Sequence, residues 1–293
     1  MTEAPDRAPH HLIDAVYRYA IPLAALLAAG PLCYRFTHAL TSTSGTDDTT
    51  LLLAASKPSA LIALVVTLVV AVAVTVGATR LIGMKSGLIS AGYVLGWAAW
   101  GLGDVTWVLR DLGQPSIATI ALITVEAAAL AAACLGLVWL AARTEQHHDD
   151  LFKPDLNPKR LVSVAAATVA TLAVAWIVVH TGTKGQTLFG ALAAGILASI
   201  ASHMAGDEEN PDALAPFLGV ALAALLSPLI LIAFPGLAGV EKAVVADALP
   251  GFARLQPLDW GVALLIGVPV GLNWMGIALG REGASTAHAP ANA

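Results

Sequence analysis

Apolar blocks, each about as long as a membrane-crossing helix, alternate with short polar segments along the whole chain. They consist mainly of Ala, Leu, Val and Gly without strict apolar/polar alternation, so the pattern predicts helices rather than barrel strands. A hydrocarbon core roughly 30 Å thick needs about 20 such residues at about 1.5 Å rise each. Eight candidate spans follow, at about residues 12–34, 59–79, 87–109, 116–142, 161–180, 187–205, 214–239 and 259–280. The third interrupts its apolar run with five glycines and Asp104; if it does not span, the count falls to seven and the C-terminus changes sides.

Composition agrees with lipid as the solvent. Of 293 residues, 57% are apolar and 12% charged, against roughly 45–50% and 25% in an average soluble domain. The first block, with Pro22 and Pro31 around ALLAAG, is short for its most apolar part but has no small-residue cleavage site after it, and is read as a retained helix. The two cysteines, Cys33 and Cys134, fall inside apolar blocks and are read as small packing residues. The net charge of −5 and the lack of a basic stretch interleaved with aromatics exclude nucleic acid as an expected partner. The expected fold class is all-α, a single polytopic helical bundle over residues 1–293. It comprises a four-span half at 1–142, a loop at 143–160, a second four-span half at 161–280 and a disordered tail at 281–293.

Charge in the loops sets the expected orientation. Arg7, Arg18, Arg80, Lys85, Arg143, Lys153, Lys159, Arg160 and Arg281 fall on one side, nine in all, against six on the other: Arg35, Lys57, Arg110, Lys184, Lys242 and Arg254. Six of the nine sit in the two loops after spans two and four, and short flanking loops carry the positive-inside signal. Both termini are therefore expected in the cytoplasm, with THALTSTSGTDDTT and EKAVVADALPGFARLQP outside, in the inner membrane of a bacterium. A sparse internal echo accompanies this order. Lys85 and Lys184 open glycine-bearing spans, Gly96 and Gly195 follow at the same offset of 99, and Pro115 and Pro216 start the next spans. Three spans repeated in tandem are inverted relative to each other, as in many secondary transporters.

The polar residues inside the blocks carry the candidate chemistry. Gly101 to Asp104 read Gly-Leu-Gly-Asp, which resembles the second-aspartate signature of intramembrane aspartyl proteases and prepilin peptidases. Such enzymes need a second aspartate facing the first. Asp14, the tempting partner, lies at the opposite end of its span, some 26 Å along the axis from Asp104, and lacks the polar residue expected after Pro22. No nucleophile elbow, phosphate loop or zinc-protease helix occurs, so no catalytic, cofactor or metal residue is assigned and an enzyme is the minor reading. His147 and His148 beside Asp149 and Asp150 are read as a solvated loop.

Trp97, Trp100, Asp104, Trp107 and Asp111 recur three and four residues apart, predicting one stripe at the outer end of span three. This is an aromatic belt with a solvated carboxylate, or else a candidate site for a cation formed by Asp104, Trp97, Trp100 and Trp107. Glu126 stands alone in LITVEAAALAAAC near the midplane, where a carboxyl costs about 2.5–3.5 kcal/mol and must face protein or water. Pro228 and Pro269 break spans seven and eight, and the freed carbonyls call for partners such as Ser227 and Asn273. Glu126, Asn273, Ser227 and Pro269 are thus the candidate solute or ion site, with Glu126 and Pro269 expected at equal depth in neighbouring spans. The leading expectation is a small-solute or ion transporter with the bilayer, a small solute or cation, and other membrane subunits as candidate partners. The alternative is a non-transporting scaffold or accessory subunit, which a dry, fully packed Glu126 favours.

Overall fold

The computed structural model describes residues 16, 19–113, 115–145, 158–206, 212–233, 236–277 and 279, and no strand occurs among them. In chain order the helices are α1 (Tyr19–His38), α2 (Lys57–Ile82), α3 (Met84–Trp100), α4 (Val105–Asp111), α5 (Ile117–Thr144), α6 (Pro158–Val178), α7 (Lys184–Ala205), α8 (Ala215–Ala233), α9 (Leu237–Val245), α10 (Gly251–Arg254) and α11 (residues 257–274). Six of them, α1, α2, α5, α6, α7 and α8, are long and apolar enough to cross a membrane. Exposed Leu61, Val65 and Val69 on α2, and Val169 and Trp176 on α6, are the kind of surface that lipid covers. The chain is an all-helical, multi-pass membrane protein.

The expected third and eighth spans are helical in altered form. The third block does not run on to residue 109. α3 stops at Trp100, the absence of side chains at Gly101 and Gly103 lets Thr37 and Asp48 pack against the break, and Asp104 caps a separate seven-residue α4. The eighth block starts two residues early because Gln256 and Asp259 form a reciprocal capping box around Pro257. Midway along α11 the helix widens, the Val268 N–H reaching back five residues to the Ala263 carbonyl. The loop at 146–157, with His147 to Asp150, and the expected disordered tail at 281–293 lie outside the described residues.

Turns and caps orient the bundle. Gly83, at φ 107°, closes a tight turn that folds α2 back on α3, and residues 179–183 fold α6 back on α7. α5 packs on α2 and α3, α8 packs on α6 and α7, and α5 meets α8. The two three-helix units α2–α3–α5 and α6–α7–α8 therefore run through the bundle in opposite senses. α11 lies between α3 and α7. Side chains at Gly92 of α3 and Gly195 of α7 would run into it, Gly92 into Ile266 and Gly195 into the Ala263 carbonyl and Gly267. Such small-residue contacts replace the hydrophobic driving force that is absent between helices in lipid.

The two ends of the bundle differ. One carries a cap made of residues 39–56, α4, α9 and α10, pinned by Arg254, whose guanidinium donates to the Leu249 and Asp247 carbonyls and pairs with the Asp247 carboxylate at 2.8 Å. Arg110 ties α4 to α9 through the Val244 carbonyl at 2.9 Å. At the opposite end the described connections are tight, with the Met84 N–H donating to Glu145 and Arg160 paired with Asp212 at 2.6 Å.

Candidate functional site

The four residues expected to form one inner site do not meet. Glu126 is buried in α5 and accepts the N–H groups of Leu51 at 3.3 Å and Leu52 at 2.8 Å, so its carboxylate anchors the segment that descends from the cap into the bundle. Thr49 and Thr50, just before, are fully buried with it. Two buried N–H groups that leave the helical pattern need acceptors, and a carboxylate supplies both. Asn273 lies at the opposite end, where it accepts from Lys85 at 3.0 Å. Ser227 donates to the Phe252 carbonyl at 2.8 Å, tying α8 to the cap, and α8 runs unbroken through Pro228, contrary to the expected interruption. Beside Pro269, the Val268 carbonyl is taken by Ser199 at 3.1 Å. The two spans are neighbours as expected, but α5 meets α11 through residues 257–267, whereas residues 268–274, with Pro269 and Asn273, pack on α7 and α3.

The outer-end group is likewise dispersed, because the helix that would carry the stripe ends at residue 100. Trp97 turns inward onto Gly30 and meets Tyr34 edge-on at 5.9 Å. Trp100 and Trp107 are 49% and 46% exposed, with the Arg110 guanidinium 4.5 Å above the Trp107 ring. Asp104, expected to be solvated, is only 1% exposed and belongs to no tryptophan stripe. Its Oδ1 accepts the Thr106 N–H at 2.6 Å and the Trp107 N–H at 3.3 Å, the ordinary work of a helix N-cap.

A different group converges beneath the cap. Gln256, wholly buried, donates its amide to the carbonyls of Thr49 and Gly103, stitching the descending segment and the α3–α4 break to the start of α11. Asp259, also wholly buried, accepts the Gln256 N–H at 2.9 Å and lies 3.4 Å from the Lys184 ammonium at the start of α7. Asp104 packs so closely on Gly182, two residues before Lys184, that any side chain there would displace its carboxylate. Asp48 sits against Gly103 in the same way. The Lys184 charge acts on all three carboxylates, Asp48, Asp104 and Asp259. In the cap, burial together with the nearby charges of Asp111 and Asp47 raises the Asp48 carboxyl above the usual carboxylate range. Hydrogen bonds from Ser42 and Ser44 hold Asp111 below it.

Asp259, Gln256 and the role of Lys184 escape a search for charges deep inside apolar blocks, because each lies at a block edge. A local signal for two of them is present in QPLD, residues 256–259, a helix start with Pro at N1 and an acid at N3. Among the described residues no group of three His, Cys, Asp or Glu side chains has metal-holding geometry. Cys33 and Cys134 are free and buried. No protein-family model matches the chain, and no curated protein or solved structure matches it.

Proposed function

We propose that the protein is a carrier for a small solute or ion in the cytoplasmic membrane of a bacterium, with α11 as the element its two three-helix units work upon. The observation that supports this most is the double grip on α11. Lys85 at the start of α3 holds Asn273 at one end, and Lys184 at the start of α7 holds Asp259 at the other. The two lysines occupy corresponding positions in oppositely oriented units, and α11, though continuous, is loosened at its middle by a widened turn just before Pro269. Inverted units that rock against each other are how secondary carriers expose one site to each side in turn. The nine-to-six distribution of Lys and Arg favours both termini inside and the cap outside, with eight crossings in all. The experiment is ion flux down imposed sodium, potassium and proton gradients in proteoliposomes. Flux should stop when cysteines placed at Lys85 and Asn273 are bridged by a short bis-maleimide; no flux of any of the three from folded protein removes the ion-carrier reading.

A second reading, an accessory subunit that packs against other membrane proteins, draws support from Glu126. Its two oxygens are taken up by the amides of Leu51 and Leu52, and it is 3% exposed, as a structural anchor would be. Recovery of a stoichiometric membrane partner after gentle solubilisation, from cells in which no flux is measured, is the outcome that favours it.

A further inference from the structure

Two helices of the bundle carry the same irregularity. α1 reads ALLAAGP from Ala25 to Pro31 and α11 reads ALLIGVP from Ala263 to Pro269, with Ala, Leu, Leu and Pro at matching positions. Each helix widens just before its proline: the Gly30 N–H reaches back five residues to the Ala25 carbonyl, as the Val268 N–H does to that of Ala263. The proline then offers no N–H and crowds the carbonyl four residues before it, so the helix is easily bent there. Each widened turn is seated directly on a neighbouring helix. A Cβ at Gly30 would strike the Trp97 ring of α3, and one at Gly267 would strike the Leu192 carbonyl of α7. The two helices also take equivalent places in the bundle. α1 runs along α3 in the same direction, with Gly30 at Trp97 and Thr37 at Gly101. α11 runs along α7 likewise, with Asp259 at Lys184 and Gly271 at Ser199.

What differs is the half that precedes each turn. In α11, residues 257–262 are all buried, fixed by the capping box and by Lys184. In α1, Tyr19 and Leu23 are 79% and 52% exposed, and Ala25 alone is buried among residues 19–29. The half of α1 after the turn, which leads into the cap, is anchored: Cys33 and Thr37 are buried, and Tyr34 stacks on His38 and meets Trp97 edge-on. We infer that the first half of α1, residues 19–24, is a gate hinged at its widened turn, standing away from the bundle in this structure and closing against it at the end opposite the cap. The equivalent half of α11 shows the packed arrangement at the capped end. The surface that the gate approaches is open, since Asn273 and Trp274 are exposed where the end of α11 meets Lys85 at the start of α3. Tyr19 lies about 9 Å before the turn, at about 1.5 Å per residue, so a swing of about 30° moves it by about 5 Å. The inference deepens the carrier reading: what passes the gate rests on that reading, whereas the movement does not.

The test is the distance between paired spin labels on the full-length protein in proteoliposomes, the native cysteines being buried. Labels on cysteines at Tyr19 and Trp274 report the gate; labels at Phe36 and Trp100, both exposed at the capped end, report the anchored half. The first pair should give two distances about 5 Å apart, and the second pair one. Deletion of Ala28 together with Pro31→Ala restores a continuous α-helix ahead of an unaltered second half, and should leave the first pair with one distance. A single distance for the first pair in the unaltered helix overturns the gate. Two distances for both pairs overturn the hinge, because the whole helix then moves, as do two distances that persist in the straightened variant. Should that variant not fold, the two pairs in the unaltered helix still decide. Two gate distances without flux remove the ion-carrier reading and leave the gate, and flux with a single gate distance does the reverse.

Discussion

The two ends of α11 are held by the same kind of side chain in opposite settings. At the capped end Lys184 faces a fully buried Asp259 among further carboxylates, and its own side chain is only 13% exposed. At the other end Lys85 reaches Asn273, a neutral and exposed partner. Sequence alone presents both lysines as equivalent marks of a repeat. The difference lies in what covers them: the descending segment with Thr49 and Thr50, the break at Gly101 to Asp104 and the loop through Gly182 roof over one end. Coulombic interactions are several-fold larger away from water, so the roofed contact is the stronger of the two holds on α11.

The comparison breaks most visibly at Asp259. Asp259→Ala leaves the Lys184 ammonium without its nearest partner and removes half of the capping box. It should cost about 3–5 kcal/mol in a reversible unfolding measurement, whereas Asn273→Ala should stay within roughly 0.5 kcal/mol. Equal losses at both ends would show that the roof makes no energetic difference. The glycine contacts sharpen the same contrast along the length of α11. Gly195→Val, which drives a side chain into the α11 backbone, should cost about 1–3 kcal/mol. Gly136→Val, where the space is open, should change melting by less than about 0.5 kcal/mol.

Smaller effects test the roof itself. Glu126→Gln turns one of two acceptor oxygens into a donor facing the Leu51 and Leu52 amides, so it should destabilise by about 1–3 kcal/mol. It should also speed hydrogen exchange at those two amides. Asp48 binds a proton more tightly folded than unfolded, so its contribution to stability is present at low pH and declines as pH rises through the raised value. Asp111 acts with the opposite sign: hydrogen bonds to Ser42 and Ser44 lower its pKa, and the stability they confer is lost as pH falls through that lowered value. Asp48→Asn should therefore remove a decline in stability as pH rises above the ordinary carboxylate range, and Asp111→Asn a decline as pH falls below it. Least disruptive are cysteines for labelling. Those at Ser44 and Ala248 should react with an impermeant thiol reagent in intact cells, and one at Gln146 should not; the reverse pattern would place the roofed end in the cytoplasm.

The one-dimensional pattern determined a good deal. Long blocks of Ala, Leu, Val and Gly admit helices in lipid and little else, since every backbone N–H and C=O must be satisfied within its own segment there. The helix starts at Ser56, Ser116 and Gln256 are local matters of capping chemistry, and so are readable from neighbouring residues. The lone carboxyl of Glu126 was rightly expected to turn inward, because lipid offers it no partner. Which partner it took was decided by the fold. Leu51 and Leu52 lie about 75 residues away in sequence and reach Glu126 only because the cap folds down into the bundle. Thr49, Gly103, Lys184 and Gln256 are brought together in the same way, from four separate connections. The solvation of Asp104 was decided there too. Three- and four-residue spacing predicts a stripe only while a helix continues, and the glycines that end α3 hand Asp104 to a new helix and to the cluster beneath the cap. Periodicity reports the face of one helix; the neighbour that covers that face is a property of the assembled bundle.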